Sequence, residues 1–289
     1  MSGWTIGIIG GSGLYEIEAL EETQRIAVET PWGTPSDELV IGRLHGARFV
    51  FLARHGQGHR IPPGEVNYRA NIDALKRAGC TDVVAISAIG SLREDLPPGR
   101  FVVVDQFIDR THGRANSFFG TGLVAHVSMA EPVCPRLAAL AADAAEAAGA
   151  AVARGATYLA MEGPQFSSRA ESALYREWGC DVIGMTAMPE AKLAREAELP
   201  YALVGMVTDY DCWWTGSEAV DVAAVLAQLH ANAGTARRVV EALARGLPPE
   251  RSASPIDTNL DTALITAPGA RDPAMLAKLD AICGRVLGR

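Results

Sequence analysis

Short apolar runs alternate with amphipathic segments along most of the chain. The amphipathic segments have helical spacing and favour helices over residues 66–78, 135–148, 169–178, 189–197 and 218–243, with a terminal helix at about 273–287. The apolar runs have the length of buried strands and lie at residues 5–9, 49–53, 83–87, 101–104, 157–161, 181–185 and 201–207. Residues 25–45 are typical of hairpin strands around a Pro-rich turn. This alternation predicts an α/β fold, in which one domain over residues 1–289 has a central mixed, mostly parallel sheet flanked by helices.

Polar side chains follow several of the predicted strands at the point where each strand ends. In open α/β sheets, ligands bind beyond the carboxyl ends of the strands, so we expect these side chains to share a site. They are Ser12 in a Gly-Gly-Ser-Gly loop, Arg54 and His55, Ser87 and Ala88, Met185 and Thr186, and Asp209 and Asp211.

Asp209 and Asp211 directly follow the apolar run at 201–207 and precede a Cys-Trp-Trp sequence. A carboxyl group at the end of a buried strand is partly desolvated, which raises its pKa. Such a group can donate a proton or a hydrogen bond near neutral pH. Two loop aspartates that face water are an equally good interpretation of this segment alone.

The donors at the other strand ends suit a small anion. Glycine backbone and the Ser12 hydroxyl can approach it, Arg54 can bind it as a fork, and His55 can add a donor. Each also has a plainer interpretation, namely a tight turn, a surface ion pair and, for Ser87, a strand cap. His59 is interpreted as a loop residue. A dinucleotide fingerprint fails, because Ile9 and Glu16 occupy positions that require glycine.

Together these groups suit a phosphate beside a nitrogen heterocycle. Phe166 follows a Gly-Pro pair and could stack on such a ring or simply pack in its loop. Met185 could contact a ligand, although methionine is more often core filler. The spacing contains neither metal-ligand positions nor a Ser–His–Asp order.

Composition excludes several other classes of protein. The 289 residues carry a net charge of −8 without a basic tract, which argues against nucleic acid as a partner. The five cysteines are scattered without a Cys-x-x-Cys pair, which argues against a disulfide framework and a zinc site. No signal sequence or long apolar span is recognisable, so we expect a cytoplasmic protein that does not insert in a membrane.

Several motifs closely resemble the methylthioadenosine phosphorylase branch of the trimeric purine nucleoside phosphorylase family. The likeness is collinear from about residue 6 to 245, and the last forty or so residues match only loosely. The most specific strings are Phe-Ser-Ser-Arg-Ala-Glu at 166–171 and Asp-Tyr-Asp-Cys-Trp at 209–213. Others are Gly-Gly-Ser-Gly-Leu at 10–14, Ala-Arg-His-Gly at 53–56, Asp-Gln-Phe-Ile-Asp-Arg-Thr at 105–111, Glu-Gly-Pro at 162–164, Met-Thr at 185–186 and Pro-Glu at 189–190.

The resemblance implies a nucleoside phosphorylase fold and a reaction in which inorganic phosphate attacks C1′ of methylthioadenosine, without a metal or an organic cofactor. It also implies a homotrimer with active sites at the subunit interfaces. The implied catalytic residues are Asp209, Asp211 and His55. The implied phosphate ligands are Ser12, Arg54, His55, Ser87, Ala88 and Thr186. The implied substrate contacts are Phe166, Ser167, Met185, Asp209 and Asp211, an apolar methylthio pocket of Val222, Val225 and Leu226, and His126 of the neighbouring subunit.

Three alternatives stay open at this point. A 6-oxopurine phosphorylase would act on methylthioinosine, inosine or guanosine, although an ionised Asp211 would repel a 6-oxo group. A dinucleotide-dependent oxidoreductase would use the glycine loop and show no phosphate dependence. A nucleoside-binding module would show no turnover at all.

Overall fold

The protein is represented by a computed structural model that describes residues 3–11, 13–14, 16–214 and 222–288, with the backbone alone at 222, 224 and 226. These residues form eleven strands, which are β1 (Thr5–Gly10), β2 (Glu21–Ile26), β3 (Leu39–Leu44), β4 (Ala47–Ala53), β5 (Asp82–Ser91), β6 (Phe101–Val103), β7 (Gln106–Arg110), β8 (Val152–Arg154), β9 (Thr157–Met161), β10 (Val182–Gly184) and β11 (Tyr201–Asp209). The strands join one sheet in the order β2-β3-β4-β1-β5-β10-β9-β7, and β11 pairs with β5 and with β6, which in turn pairs with β8.

The sheet is mixed and mostly parallel, as the alternation of elements predicts. Six of its ten described pairings are parallel, and they include the central β4-β1-β5-β11 group. The antiparallel pairs are β2 with β3, β3 with β4, β5 with β10 and β6 with β11. The predicted single-domain α/β fold is therefore confirmed in its class and in its sheet.

Seven described α-helices surround the sheet, which are α1 (Tyr68–Arg77), α2 (Pro135–Ala147), α3 (Arg169–Glu177), α4 (Ala187–Glu196), α5 (Val222–Gly246), α6 (Pro273–Lys278) and α7 (Asp280–Leu287). α2, α4 and α5 pack against β11, which is buried along all but its last residue. Strands covered in this way read as continuous apolar runs, because neither face meets water. None of the helices in the described ranges combines the length and apolar character that a bilayer span requires.

The chain differs from the prediction at the C-terminus, where the single helix expected at 273–287 is two helices. Leu279 ends α6 with φ −96° and ψ 17°, outside regular helical geometry, and α7 begins directly after it. The change of direction lets Leu279, Ile282 and Cys283 become buried, while Asp280 accepts a hydrogen bond from Arg77 of α1 at 3.0 Å. Tertiary packing against α1 therefore overrides a helical pattern that continues through the break.

Candidate active site

The carboxyl ends of four parallel strands meet at one edge of the sheet. Strand β1 lies between β4 and β5, with Gly10 opposite Ala53, and β11 lies on the other side of β5. The register of β5 and β11 places Ser87 opposite Gly205 and Gly90 opposite Asp209. The glycine loop, the Arg54 segment and the two aspartates thus lie at neighbouring strand ends, as predicted. The prediction for Ser87 was wrong in one respect, because Ser87 lies inside β5, which continues to Ser91.

Strand β10 brings a fifth group to this edge from the opposite direction. It runs antiparallel to the end of β5, with Ile183 opposite Gly90. The turn that follows places the Thr186 hydroxyl 3.3 Å from the Ser87 hydroxyl. Both side chains are buried, and Ala88 beside them is half-buried. This pair of hydroxyls, reached from two strands, forms a polar position where an anion can be bound.

Arg54 is almost entirely engaged within the protein. Its Nε and Nη2 atoms donate to the two carboxylate oxygens of Glu190 at 2.9 and 3.1 Å. Further bonds run from Nη2 to the Ile9 carbonyl oxygen and from Nη1 to the Ile86 carbonyl oxygen, at 3.4 and 3.3 Å. Since a guanidinium has five N–H donors, a single N–H on Nη1 is left for a ligand. Burial opposes the charge, but the Glu190 carboxylate outweighs it and holds the pKa of Arg54 above its ordinary value.

His55 is neutral near pH 7. Burial, together with the charge of Arg54, lowers its pKa to about 4. Its Nδ1 lies 2.8 Å from the carbonyl oxygen of Ile61 and must donate to it, because a carbonyl only accepts. The Nε2 atom then carries a lone pair. His55 can therefore donate to a phosphate through its ring only after it takes up a proton, which the approach of a dianion favours.

Asp209 and Asp211 form the opposite, acidic side of the candidate site. The Oδ1 atom of Asp209 accepts from the Asp211 amide at 2.8 Å, and its Oδ2 accepts from the Thr208 hydroxyl at 2.7 Å. Burial raises the pKa of Asp209 despite these bonds. It therefore resembles the partly desolvated acid that the strand-end position predicts.

Asp211 is held by its backbone, while one buried side-chain oxygen lacks a well-formed hydrogen bond. Its φ of +51° lies in the left-handed region, which aspartate tolerates better than most residues. Asp211 is 7% exposed, and its Oδ2 has no hydrogen bond of good geometry from the described residues, although the Ser172 and Ser167 hydroxyls lie close enough to lower its pKa. Burial and the charge of Asp209 raise the pKa of Asp211, with the Ser172 hydroxyl as a partial offset. A buried acceptor without a partner is costly, and a ligand donor would relieve that cost.

Two glycines allow neighbouring groups of the candidate site to pack closely. A Cβ at Gly90 would lie 3.1 Å from Asp209 Oδ1 and 3.0 Å from a methyl group of Ile183. Gly163 has φ +67°, and a Cβ there would lie 2.4 Å from the Met185 sulfur. Met185 therefore packs directly on the Gly163 backbone, which links the Met185–Thr186 turn to the loop that carries Phe166 and Ser167.

The 163–167 loop is anchored at its far end. Ser168 and Glu171 form a reciprocal capping box that begins α3. The Cys212 thiol donates to the carbonyl oxygen of Ser167 at 3.2 Å, so the loop lies against the segment of Asp211. Phe166 is 45% exposed, which leaves its ring free to cover a ligand. The structure thus brings Phe166 and Ser167 to the acidic side of the site.

The remaining predicted residues are not brought to this site by described contacts. Ser12 lies outside the described residues, and so do the side chains of Val222 and Leu226. Val225 is half-buried on α5. This helix contacts β11 through a 3.4 Å hydrogen bond from the Asn232 side chain to the Val207 carbonyl oxygen. His126 lies on a segment whose backbone bonds to the C-terminal region, with its amide donating to Ala263 at 3.0 Å.

Arg114 was missed by sequence reasoning. Its side chain is 2% exposed and donates from Nη1 to the carbonyl oxygens of Met185 and Met188, both at 2.7 Å. It also donates from Nε to the Glu162 carboxylate at 3.0 Å. Arg114 therefore joins the Met185–Thr186 turn to the start of the Phe166 loop. It lies in a polar, irregular stretch, so no periodicity or spacing could have revealed this role.

A family model described as the phosphorylase superfamily matches residues 5–245. The S-methyl-5′-thioadenosine phosphorylase of Cereibacter sphaeroides is 61% identical over 284 residues, which are 98% of this chain and 98% of that protein. The enzyme of the same name from Bradyrhizobium diazoefficiens is 57% identical over 284 residues, again with 98% of each chain covered.

Solved structures give the same likeness. A methylthioadenosine phosphorylase from an antarctic soil metagenomic library superposes with a TM-score of 0.92 at 46% identity, covering 98% of this chain and 99% of that one. Methylthioadenosine phosphorylase from Schistosoma mansoni in complex with adenine superposes with a TM-score of 0.80 at 36% identity, covering 97% and 98%.

Proposed function

This chain belongs to the phosphorylase superfamily, and we propose that it cleaves 5′-methylthioadenosine with inorganic phosphate to give adenine and 5-methylthioribose 1-phosphate. It is a pentosyltransferase of the purine nucleoside phosphorylase type, since full-length relatives at 45–61% identity carry the name S-methyl-5′-thioadenosine phosphorylase.

The observation that carries the proposal is the register of β5 and β11. Ser87, whose hydroxyl lies beside that of Thr186, is three residues before Gly90, which stands opposite Asp209. At roughly 3.3 Å per residue, the backbone positions of Ser87 and of Gly90, opposite Asp209, are about 10 Å apart along the strand. That separation suits a nucleoside whose sugar lies between a phosphate and a purine.

The charges suit the reaction. Breaking the glycosidic bond builds positive charge on the sugar and negative charge on the purine. A phosphate held by Ser87, Ala88, Thr186, the remaining N–H of Arg54 and Ser12 faces the first charge. A protonated Asp209 that donates to N7 relieves the second, and such acid catalysis contributes on the order of 10²–10⁴ in rate. Met185 lies along the ribose.

Asp211 supports adenine as the base, because its carboxylate accepts hydrogen bonds and its Oδ2 lacks a well-formed one. A 6-amino group donates to an acceptor, whereas a 6-oxo group would bring a second acceptor against it. The 6-oxopurine alternative is not favoured, since the relatives are named for thioadenosine and a solved relative binds adenine. Phe166 and Ser167 border the ring in this proposal.

No metal or organic cofactor takes part in the proposed reaction. Inorganic phosphate is the co-substrate and the nucleophile, and the protein supplies position and electrostatic stabilisation. His55 is assigned to the phosphate side, where a bound dianion would raise its pKa and allow Nε2 to donate.

The proposed assembly is a homotrimer in which His126 closes the methylthio pocket of the neighbouring subunit, formed by Val222, Val225 and Leu226. The segment of His126 supports this, because it presents apolar side chains to solvent. Val124 is 37% exposed, and Ile265, hydrogen-bonded to it through the backbone at 2.9 Å, is 61% exposed. Co-expressing Asp209→Asn and His126→Ala chains tests it, since mixed trimers would then contain some intact sites. Activity no higher than that of either variant alone would overturn the arrangement.

The cytoplasm is the proposed location. All five cysteines are unpaired thiols, and Cys80, Cys180 and Cys283 are buried ones whose pKa values burial raises. Unpaired cysteines are typical of proteins from reducing compartments.

Adenine release from methylthioadenosine, with and without phosphate, tests the function. The proposal expects release that depends on phosphate and exceeds hypoxanthine release from methylthioinosine. Faster release of hypoxanthine would overturn the choice of base. Release that does not depend on phosphate would overturn the reaction class.

A further inference from the structure

A compact turn after β4 places one histidine ring flat on another. The rings of His55 and His59 are 4.1 Å apart between centroids and tilted by 15°. The turn closes on itself through backbone bonds from Ile61 to His55 and from His59 to Gly56, at 3.0 and 3.1 Å. His59 is exposed and His55 is half-buried, so the outer ring covers the inner one.

The backbone of His59 is unusual for its residue type. Its φ is +56°, in the left-handed region that favours glycine and asparagine, and the same turn already has glycines with positive φ at Gly56 and Gly58. Non-glycine residues keep such a conformation where surrounding contacts determine it. The visible contact of the His59 side chain is its stacking on His55.

The inner ring is fixed at one atom by a hydrogen bond. His55 is held at Nδ1 by the Ile61 carbonyl, and one bond does not by itself fix the tilt of the ring. Stacking against its face removes that freedom, so Nε2 keeps a single direction. Catalytic geometry is sensitive to such restraints, because small displacements of a positioned group cost rate.

We propose that His59 is a positioning residue for the phosphate side of the active site, which clamps the His55 ring so that Nε2 stays directed for phosphate. This inference rests on the proposed function. The proposed positioning depends on the flat ring of His59 and does not depend on whether that ring is protonated. His59 itself touches neither phosphate nor nucleoside in this scheme.

Two substitutions separate the contribution of the His59 ring from those of its backbone conformation and its charge. His59→Asn keeps a residue that tolerates positive φ and removes the ring, whereas His59→Phe keeps a flat ring that cannot ionise. The chain also contains a matched control in His45, a second histidine with positive φ, 48°, in the turn between β3 and β4. His45 contacts Arg245 and Glu241, at the opposite end of β4 from Arg54.

The measurement is the KM for phosphate and for methylthioadenosine in each variant, with thermal unfolding to compare folding. We expect His59→Asn to raise the phosphate KM by about tenfold or more, with a smaller change in the nucleoside KM. His59→Phe should recover most of that loss, and His45→Asn should match the parent. Nitrogen NMR of His55 should show one fixed Nδ1–H tautomer in the parent and a mixture in His59→Asn.

Three outcomes would overturn the inference. They are an unchanged phosphate KM in His59→Asn, an equal loss in His59→Phe, and equal increases in both KM values. The proposed function fails separately, if the parent releases no adenine in the presence of phosphate.

Discussion

Asp211→Asn should change which purine the enzyme prefers. Asp211 is buried, and its Oδ2 has no hydrogen bond of good geometry among the described residues, so the 6-position of the base is proposed to complete its hydrogen bonding beside the Ser172 hydroxyl. Asparagine has nearly the same shape but is neutral and can present N–H groups. The substitution therefore changes the chemistry of the contact with the base. It keeps the hydrogen bond from the backbone amide of residue 211 to the Asp209 carboxylate, which is 2.8 Å long.

The magnitude follows from the kind of bond that is lost. Hydrogen bonds to charged groups contribute about 1.5–3 kcal/mol. At about 1.36 kcal/mol for each factor of ten, kcat/KM for methylthioadenosine should fall by roughly 10- to 150-fold. Methylthioinosine should gain, because its 6-oxo group meets an N–H donor where it previously met a carboxylate. The ratio of the two kcat/KM values should thus shift by about two orders of magnitude or more.

The assay is the initial rate of base release from both nucleosides at saturating phosphate. Asp143→Asn is a matched control, since it makes the same chemical change on an exposed carboxylate of α2 that pairs with Arg154. An equal fall for both nucleosides would refute the reasoning, because Asp211 would then support the fold without contacting the 6-substituent. An unchanged ratio with unchanged rates would refute it as well.

Three other substitutions test the rest of the site. Asp209→Asn should lower kcat by about two orders of magnitude or more, since it removes the proton donor. In the parent, activity should fall as pH rises through the raised pKa of Asp209, because the acid is then ionised; in the variant that fall should be absent. Glu190→Gln should lower the free energy of unfolding by about 3–5 kcal/mol, measured by urea denaturation, because it leaves the Arg54 guanidinium buried without its counter-charge. Unfolding like that of the parent would show that a neutral amide at this position still satisfies Arg54. Arg114→Lys should raise the KM for methylthioadenosine by about tenfold, because a lysine cannot hold both the Met185–Thr186 turn and Glu162. A KM equal to that of the parent would show that the turn holds itself.

The strand-end residues were predictable because of a property of parallel sheets. When strands run the same way, their carboxyl ends must lie at one edge, so Arg54 and Asp209 could be grouped without knowing any distance. Ser87 was grouped with them although its strand continues to Ser91, because the length of the apolar run did not reveal where β5 ends. Thr186 reached the same edge by a route that the pattern does not reveal. Its strand β10 is antiparallel to β5 and only three residues long, and direction is not encoded in the periodicity of so short a run.

The partners of the site residues were not predictable. Glu190 is separated from Arg54 by 136 positions, so their pairing is visible only in the folded chain. Together with two backbone carbonyl oxygens, the Glu190 carboxylate accepts hydrogen bonds from four of the five N–H groups of the guanidinium. The consequence for the site is substantial, because sequence reasoning treated Arg54 as a free fork for phosphate. The left-handed conformation of Asp211 and the stacking on His55 are likewise set by tertiary contacts.

The attachment of the His126 segment has a consequence for protein engineering. The backbone of residues 122–126 is bonded to Ala263, Ile265 and Asp272, which lie beyond the stretch 5–245 that the family model matches. A substitution in this tail can therefore shift the surface around His126 while Arg54, Asp209 and Asp211 stay the same. In the proposed trimer, the tail would adjust the fit of the 5′ substituent from outside the reacting groups.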